Sequence, residues 1–503
     1  MIPSLWILPL LTMIFSVGLV GAYTQWLPLP LVFFLFWVIY AWQKPYAHRI
    51  SWTLLCAVTL SLGILQGLSV KQTQTRWNEI ADWVEADMSD IFLEGTVVDV
   101  KDRLYQQVVS LALSRLVKNQ EELVLTSRRV PMAQVRLRKE NAREWRYGTK
   151  VRLKGFPQIL SSEYEGYRQY LRLHDYVVLL DRVHGIEMEP MKNLSLKGVL
   201  FQLRRLFEIN LNSYQRVIGY KGVQVLKAVL LGERSGMPAS LKEPFKKSGT
   251  YHVFAISGLH MMVFYLVLFA LLSRVACPAK VAIGLVVITL GAIAILTGLS
   301  ASVVRASLML ALGLLWKLSG RKVHFVYVFI LSFLLIIIVS PKQMFLPGFQ
   351  LSYVAVWGII LSRPIINRID QWSVSLFWKR IMQTGVVFVS LAVMTAPLSA
   401  YYFGQVVLVS PLSNTLVILL MTVILVSGLL LLVLEGIGLG IVGQVCVGRF
   451  IDLMLNLTFA WVHLWAKCPV WSVDLSVKTV FLLYLLVFIP STFTILRGEG
   501  RAL

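Results

Sequence analysis

Apolar residues arrive in this chain in blocks too long for the core of a water-soluble domain. Three blocks come first, near 4–22, 27–42 and 52–70. Nine more follow, near 252–273, 281–297, 303–318, 323–339, 348–362, 381–400, 411–434, 438–465 and 478–496. A hydrocarbon layer takes about 20 such residues as one helix. Only 15% of the residues are charged, against about a quarter in a soluble protein. The chain therefore reads as a polytopic α-helical membrane protein. Its first block lacks a basic leading stretch, so it reads as a membrane span rather than a cleaved signal peptide. The four cysteines (Cys56, Cys277, Cys446 and Cys468) are scattered in apolar segments without a CxxC pair, and the long polar region has none, so its fold does not depend on a disulfide or a thiolate metal site.

Between the third and fourth blocks lies a stretch of soluble character. Short alternating runs mark it: EGTVVDV (94–100), QVVSLALSRL (107–116), AQVRLRKE (133–140), TKVRLKG (149–155) and DYVVLLDRV (175–183). Period-two alternation broken by glycine and polar turns predicts strands. Five short strands suit a small β-barrel of the OB type. Lys44 and Arg49, between the second and third blocks, put that loop in the cytoplasm by the positive-inside rule, so the barrel lies outside. Counting on from there places the loops at Arg274/Lys280, Lys317–Lys322 and Arg363–Arg380 and the tail Arg497–Arg501 inside.

Charge adds a second theme. The formal net charge is +22. Arg136 and Arg138 share one face of their strand, and Lys150, Arg152 and Lys154 share another, with Trp145 and Tyr147 nearby. Cations interleaved with aromatic rings suit single-stranded nucleic acid, whose bases stack while its phosphates follow the charges. An ordinary solvated barrel face would look the same. Residues 193–247 contain LKGVLFQLRRLFEINL and VQVLKAVLLGE, amphipathic helical patterns with basic polar faces that suit the membrane surface or a vestibule.

The most unusual stretch is SGTYHVFAISGLHMMVF (248–264). Treated as one helix, His252, Ser257 and His260 fall within an arc of about 140°. Ionisable groups in a span face a cavity or the bundle interior. The same stretch permits three uses: a lined path, a Ser257/His260 pair serving a membrane hydrolase or acyl transferase, or close helix packing at Gly258. No acidic residue lies in the span to orient the histidine, and no HExxH zinc pattern is present. GLSASVVRAS (298–307) places Arg305 in an apolar run, PGFQLSYVAV (347–356) carries Gln350 and Ser352, and TAPLSAYYFGQ (395–405) and SPLSN (410–414) interrupt further blocks at Pro397 and Pro411, the last ending in Asn414. Broken helices with polar residues are how transporters line a path. Arg449 and Asp452, three residues apart, suggest an intramembrane ion pair. No GxxxxGK[ST] phosphate loop is present, so active transport needs a partner.

These motifs resemble the ComEC family of bacterial competence DNA-uptake channels. LLGERSGMPASLKEPFKKSGTYHVFAISGLH (230–260) carries the resemblance, with GLSASVVRASLM, PGFQLSYVAVWGII and TAPLSAYYFG; EYEGYRQYLRLHDY (163–176) resembles the end of the family's OB domain. The resemblance implies a channel of the cytoplasmic (inner) membrane that imports single-stranded DNA during natural transformation. It implies four parts: three spans over 1–72, an extracytoplasmic OB-like domain over 73–192, basic helices over 193–247 and a channel domain over 248–503. It makes His252, Ser257, Gly258, His260, Arg305, Gln350, Ser352 and Asn414 path residues, and Gly232, Glu233, Arg234 and Pro397 structural motif residues. It implies membrane lipid as surroundings and, as partners, a separate DNA receptor, a nuclease and a cytoplasmic motor or single-strand-binding protein; homo-oligomers are compatible with it. Neither a cofactor nor a metal is expected. The metallo-β-lactamase-like domain that many members carry is expected to be absent, because no HxHxDH motif is present, and with it nuclease activity in this chain. A transporter for another anion remains the non-DNA alternative.

Overall fold

The computed structural model describes residues 46–480, apart from 87–88, 103–105, 120, 126–129, 139–144, 146, 159–170, 172–173, 190–195, 276, 319, 321–324, 441–442, 474 and 477–478. The first two apolar blocks and most of the last lie outside the described residues, as does EYEGYRQYLRLHDY apart from Leu171 and His174–Tyr176. The chain divides into two compact units, one holding the residues up to 203 together with 308–346, the other holding 204–307 and 347 onward.

In the first unit, helix α1 (Tyr46–Glu85) carries the third apolar block and continues beyond it. Six strands follow: β1 (Ile91–Asp102), β2 (Gln106–Lys118), β3 (Glu121–Val124), β4 (Met132–Arg138), β5 (Lys150–Pro157) and β6 (Tyr176–Glu189). All five sequence-predicted runs fall in these strands; β3 is additional. The hydrogen-bonded order is β1-β5-β6-β4-β2-β3, and β1 also pairs with β2. The pairings thus return to their starting strand. All are antiparallel except β4 with β6.

Alternation decides which face is buried. Along β5 exposed and buried residues alternate without exception, so Val151 and Leu153 enter a core with Leu93, Leu111, Val135 and Leu180. The register shifts at Lys154/Gly155. A Cβ on Gly155 would sit 2.5 Å from the Arg182 carbonyl oxygen, so glycine permits the close approach at this bulge. The last turns of α1 add Trp77, Ile80 and Val84 to the same core. Trp77 Nε1 donates to Asp175 Oδ1 at 2.7 Å, and Lys118 Nζ donates to the Trp83 and Val84 carbonyls at 2.8 and 2.9 Å. Those carbonyls end the helix and have no partner within it, so the lysine caps them.

The second unit is helical. Helix α2 (Leu196–Ser213) leads into it, followed by α3 (Gln215–Leu231) and α4 (Ala239–Lys247). The pattern VQVLKAVLLGE suits a helix with a basic face, at the membrane surface or lining a vestibule; the structure corrects the basic face. From Gly222 to Leu231 every residue of α3 but Lys227 is buried, because Leu226, Val229 and their neighbours join a core with Ile424, Leu425, Ile451 and Leu455. α2 keeps its amphipathic character, exposing Val199, Leu203, Leu206 and Ile209 along one stripe.

The apolar helices are α5 (Gly258–Arg274), α6 (Ala279–Leu296), α7 (Ala301–Leu318), α8 (Phe325–Val339), α9 (Pro347–Asp370), α10 (Leu376–Phe403), α11 (Ser410–Gly436) and α12 (Arg449–Trp465). Helix α12 is entered through a π turn at Gly443–Gly448. Among the described residues, six helices are long and apolar enough to cross a membrane: α6, α7, α9, α10, α11 and the continuous 443–465 segment. The protein is a multi-pass membrane protein with a separate β-sheet region.

Candidate functional site

Three of the four interruptions read in the sequence are helix starts. Residues 298–300 precede α7, Pro347 opens α9 and Pro411 stands in the first turn of α11. Proline is tolerated there because a first-turn N–H has no partner within the helix. The fourth is corrected: α10 runs through Pro397 to Phe403. The continuous helix expected over 252–260 is corrected as well. Tyr251–Phe254 form a 3-10 turn, the chain extends through Ala255 and Ser257, and α5 begins only at Gly258. His252 and His260 are therefore not on one helix. His252 is exposed on the turn, with Nδ1 3.2 Å from the Gly249 carbonyl oxygen.

Ser257 and His260 form a capping box. His260 Nδ1 accepts from the Ser257 backbone N–H at 3.0 Å and lies 2.8 Å from Ser257 Oγ, while that oxygen accepts from the His260 backbone N–H. Because Nδ1 is an acceptor, the ring proton of the neutral tautomer sits on Nε2. Two otherwise orphaned N–H groups are satisfied by this exchange. Among the described residues no carboxylate lies within ion-pair distance of the ring. The contact that suggested a serine nucleophile is accounted for by the start of a helix.

Arg305 lies in the second turn of α7 and is 7% exposed. Its Nη1 donates to the Ser352 carbonyl oxygen on α9, and its guanidinium stands 5.6 Å over the Tyr353 ring. A Cβ on Gly258 would lie 3.9 Å from Arg305 Nη2, so the starts of α5, α7 and α9 meet here. One turn from that point, Tyr402 Oη donates to Gln350 Oε1 at 2.8 Å. Sequence reasoning missed Tyr353 and Tyr402, because an aromatic residue in an apolar block carries no polar signal of its own.

A second junction forms where the turn after α4 meets the start of α11. Ser413 Oγ donates to the Ser248 carbonyl oxygen at 2.6 Å, and Asn414 Nδ2 donates to Ser410 Oγ at 2.9 Å. Ser248, Thr250 and Ser413 are fully buried. On α12 the expected Arg449–Asp452 pair does not form; Asp452 Oδ2 accepts from Asn456 Nδ2 at 3.1 Å.

The GERS element is built around a residue that sequence reasoning did not select. Gly232 ends α3 in the left-handed region at φ 71°. Glu233 Oε2 then accepts from Arg204 Nη2 at 2.8 Å, while Oε1 accepts from the Ser235 backbone N–H at 2.8 Å and from its hydroxyl. Arg204 Nε also donates to Glu208 at 3.2 Å. Burial pushes the Glu208 carboxyl above its ordinary value, with the Arg204 charge opposing the shift. Arg234 is exposed and outside this knot.

On the β-sheet the sequence-predicted cations separate into two groups. Arg152 approaches Glu94 at 3.7 Å and Glu189 at 3.6 Å, and Lys154 approaches Asp90 at 3.4 Å. These exposed pairs give β5 a mixed-charge face. Arg136 Nη1 donates to Gln158 Oε1 at 2.9 Å, whereas Arg138 and Lys150 are exposed with no carboxylate partner among the described residues. Trp145 is corrected: it is 2% exposed and donates from Nε1 to Gln107 Oε1 at 2.7 Å, so its ring is core and unavailable for stacking. Tyr147 is half-buried, its ring 6.1 Å from that of Phe201. The sequence signal that was missed is Phe156, 41% exposed on β5 and 5.6 Å from the His184 ring.

The sequence model of the Competence protein family matches residues 229–497. ComE operon protein 3 of Bacillus subtilis (strain 168) is 26% identical over 243 residues, 48% of this chain and 29% of that relative. The chain thus spans less than a third of the relative it matches. No solved structure matches.

Proposed function

From the premise that the chain belongs to the Competence protein family of DNA-uptake proteins, we propose that it is the channel that passes one strand of incoming DNA through the cytoplasmic membrane. The meeting of the α5, α7 and α9 starts around Arg305 carries this reading. Helix starts present N–H groups and the positive end of the helix dipole, which favour an anion. The strand passes as a chain of phosphates, one about every 3.4 Å, and neutral polar groups such as Ser257, His260, Gln350, Ser352 and Asn414 beside it bind weakly enough to release it.

The β-sheet region is the extracytoplasmic receiving domain in this account. Its pairing order, with one parallel pair closing the ring, is the order expected of an OB-like barrel, and exposed Arg138 and Lys150 supply cations for an approaching strand. The mixed-charge β5 face, with Arg152 and Lys154, contributes less. A separate DNA receptor, a nuclease and a cytoplasmic motor or single-strand-binding protein complete the system.

The test is uptake of labelled DNA into a nuclease-resistant form in a transformable host whose own gene is replaced by this one. His260→Ala, at normal protein level, is expected to lower uptake at least tenfold. Unchanged uptake contradicts the path assignment.

A further inference from the structure

We propose that Arg305, together with the first N–H groups of α5 and the Ser352 hydroxyl, forms a binding site for one phosphodiester oxyanion. The inference rests on the channel reading for its physiological ligand, and on local chemistry for the site itself.

Two buried arginines make the contrast. Arg204 is 8% exposed and bonded to two carboxylates. Arg305 is 7% exposed and has one carbonyl oxygen and one aromatic ring as partners, with no carboxylate within ion-pair distance among the described residues. A guanidinium carries five N–H donors, and a single carbonyl leaves most of them without an acceptor. A buried charge without its opposite is costly, and inside a membrane protein it marks a functional position. The missing partner is an anion.

The neighbours of Arg305 fit such an anion. Gly258 and Leu259 open α5, and their N–H groups have no carbonyl partner within the helix. The glycine leaves the space beside Nη2 free of a side chain, a Cβ there lying 3.9 Å away. Ser352 Oγ is buried without a hydrogen-bond partner among the described residues. Arg305 thus stands beside the open first turn of α5 and on the turn of α9 that carries the unpartnered Ser352 hydroxyl, with the Ser352 carbonyl as its one acceptor. A planar guanidinium matches the two non-bridging oxygens of a phosphodiester. One cation with neutral donors also binds more weakly than a cluster of cations, which permits a phosphate to leave as the next arrives.

The bond to the Ser352 carbonyl gives the site a resting state. Without an anion, Nη1 ties α7 to α9; a phosphodiester competes for the same guanidinium and loosens that tie.

The test uses the full chain in a neutral detergent, with dimethyl phosphate as probe and thermal unfolding as readout. At a probe concentration about a hundred times its dissociation constant, the melting temperature of the wild type is expected to rise by about 3 °C. Arg305→Lys should retain a rise, and Arg305→Gln should lose it. Gly258→Ala, which fills the space beside Nη2 at an ordinary contact distance, should reduce it and serves where Arg305→Gln does not fold. No rise in the wild type, or an equal rise in Arg305→Gln and Gly258→Ala, overturns the site. A parallel arm replaces the probe with a four-residue oligothymidylate or with phosphatidylglycerol. An Arg305-dependent rise with the oligonucleotide supports a nucleic-acid phosphate; a rise with the lipid alone overturns that assignment in favour of a headgroup. If the site binds but a transformable host whose own gene is replaced by this one takes up no DNA, the channel reading fails and the site stands.

Discussion

Replacing Arg204 by leucine removes the cation from a knot in which the side chains of Arg204 and Glu233 are 10% and 8% exposed. Breaking a buried pair by deleting one partner costs about 3–5 kcal/mol, because the other charge stays buried alone. Glu233 keeps its two bonds from Ser235, so the lower end, about 3 kcal/mol, is expected here. Glu233→Gln alone keeps an acceptor for Ser235 and costs about 1–3 kcal/mol. In the double variant neither charge of the Arg204–Glu233 pair remains, and Glu208 loses the cation that opposes the upward push of burial on its carboxyl. Its cost should fall below the sum of the singles by about 1–3 kcal/mol. The assay is the fraction of full-length protein remaining monodisperse in detergent after a temperature ramp, read for the wild type, both singles and the double. Single-variant costs that add to within about 0.5 kcal/mol would show that the two side chains do not interact and refute the reasoning.

Other consequences follow from the same geometry. Gly155→Ala places a Cβ against the Arg182 carbonyl and should destabilise the sheet by about 1–3 kcal/mol, seen as faster proteolysis of the β-region in the intact protein. Trp145→Ala should cost about 3–5 kcal/mol of stability, whereas Arg138→Ala with Lys150→Ala should leave stability unchanged and flatten the salt dependence of single-strand binding, measured on the full chain. Glu208 has its folded pKa raised by burial, so its contribution to stability is complete below its unfolded pKa and is lost as pH rises through the folded one. Melting temperatures of Glu208→Gln should therefore fall less than those of the wild type as pH rises through that interval.

The membrane class and five of the six strands described in the first unit's sheet were legible because burial imposes a period, and a period survives in one dimension. β3 was not, since EELV (121–124) carries two charges and no alternation. Polar residues in apolar blocks pointed to His260, Arg305, Gln350 and Asn414, and Pro347 with Gly348 marked a helix start before Gln350, but nothing in one dimension showed that three such starts meet at Arg305. The stripe through His252 and His260 failed because it assumed one helix across Ala255–Ser257, where the backbone is extended. Trp145 failed because the environment of an aromatic ring is set by its partners, here Gln107, 38 residues away. Arg204 was read as part of a basic surface for the same reason: the carboxylate that buries it is 29 residues distant.

The most direct test of the central claim is to catch the strand in transit. Photo-reactive amino acids placed at Ser257 and at Gln350, with a control at Ile288, 71% exposed on α6, can be irradiated in transforming cells given end-labelled DNA. The account predicts labelled single-stranded adducts at 257 and 350 and none at 288. DNA entering those cells with no adduct at either path position, or with equal adducts at all three, would contradict it.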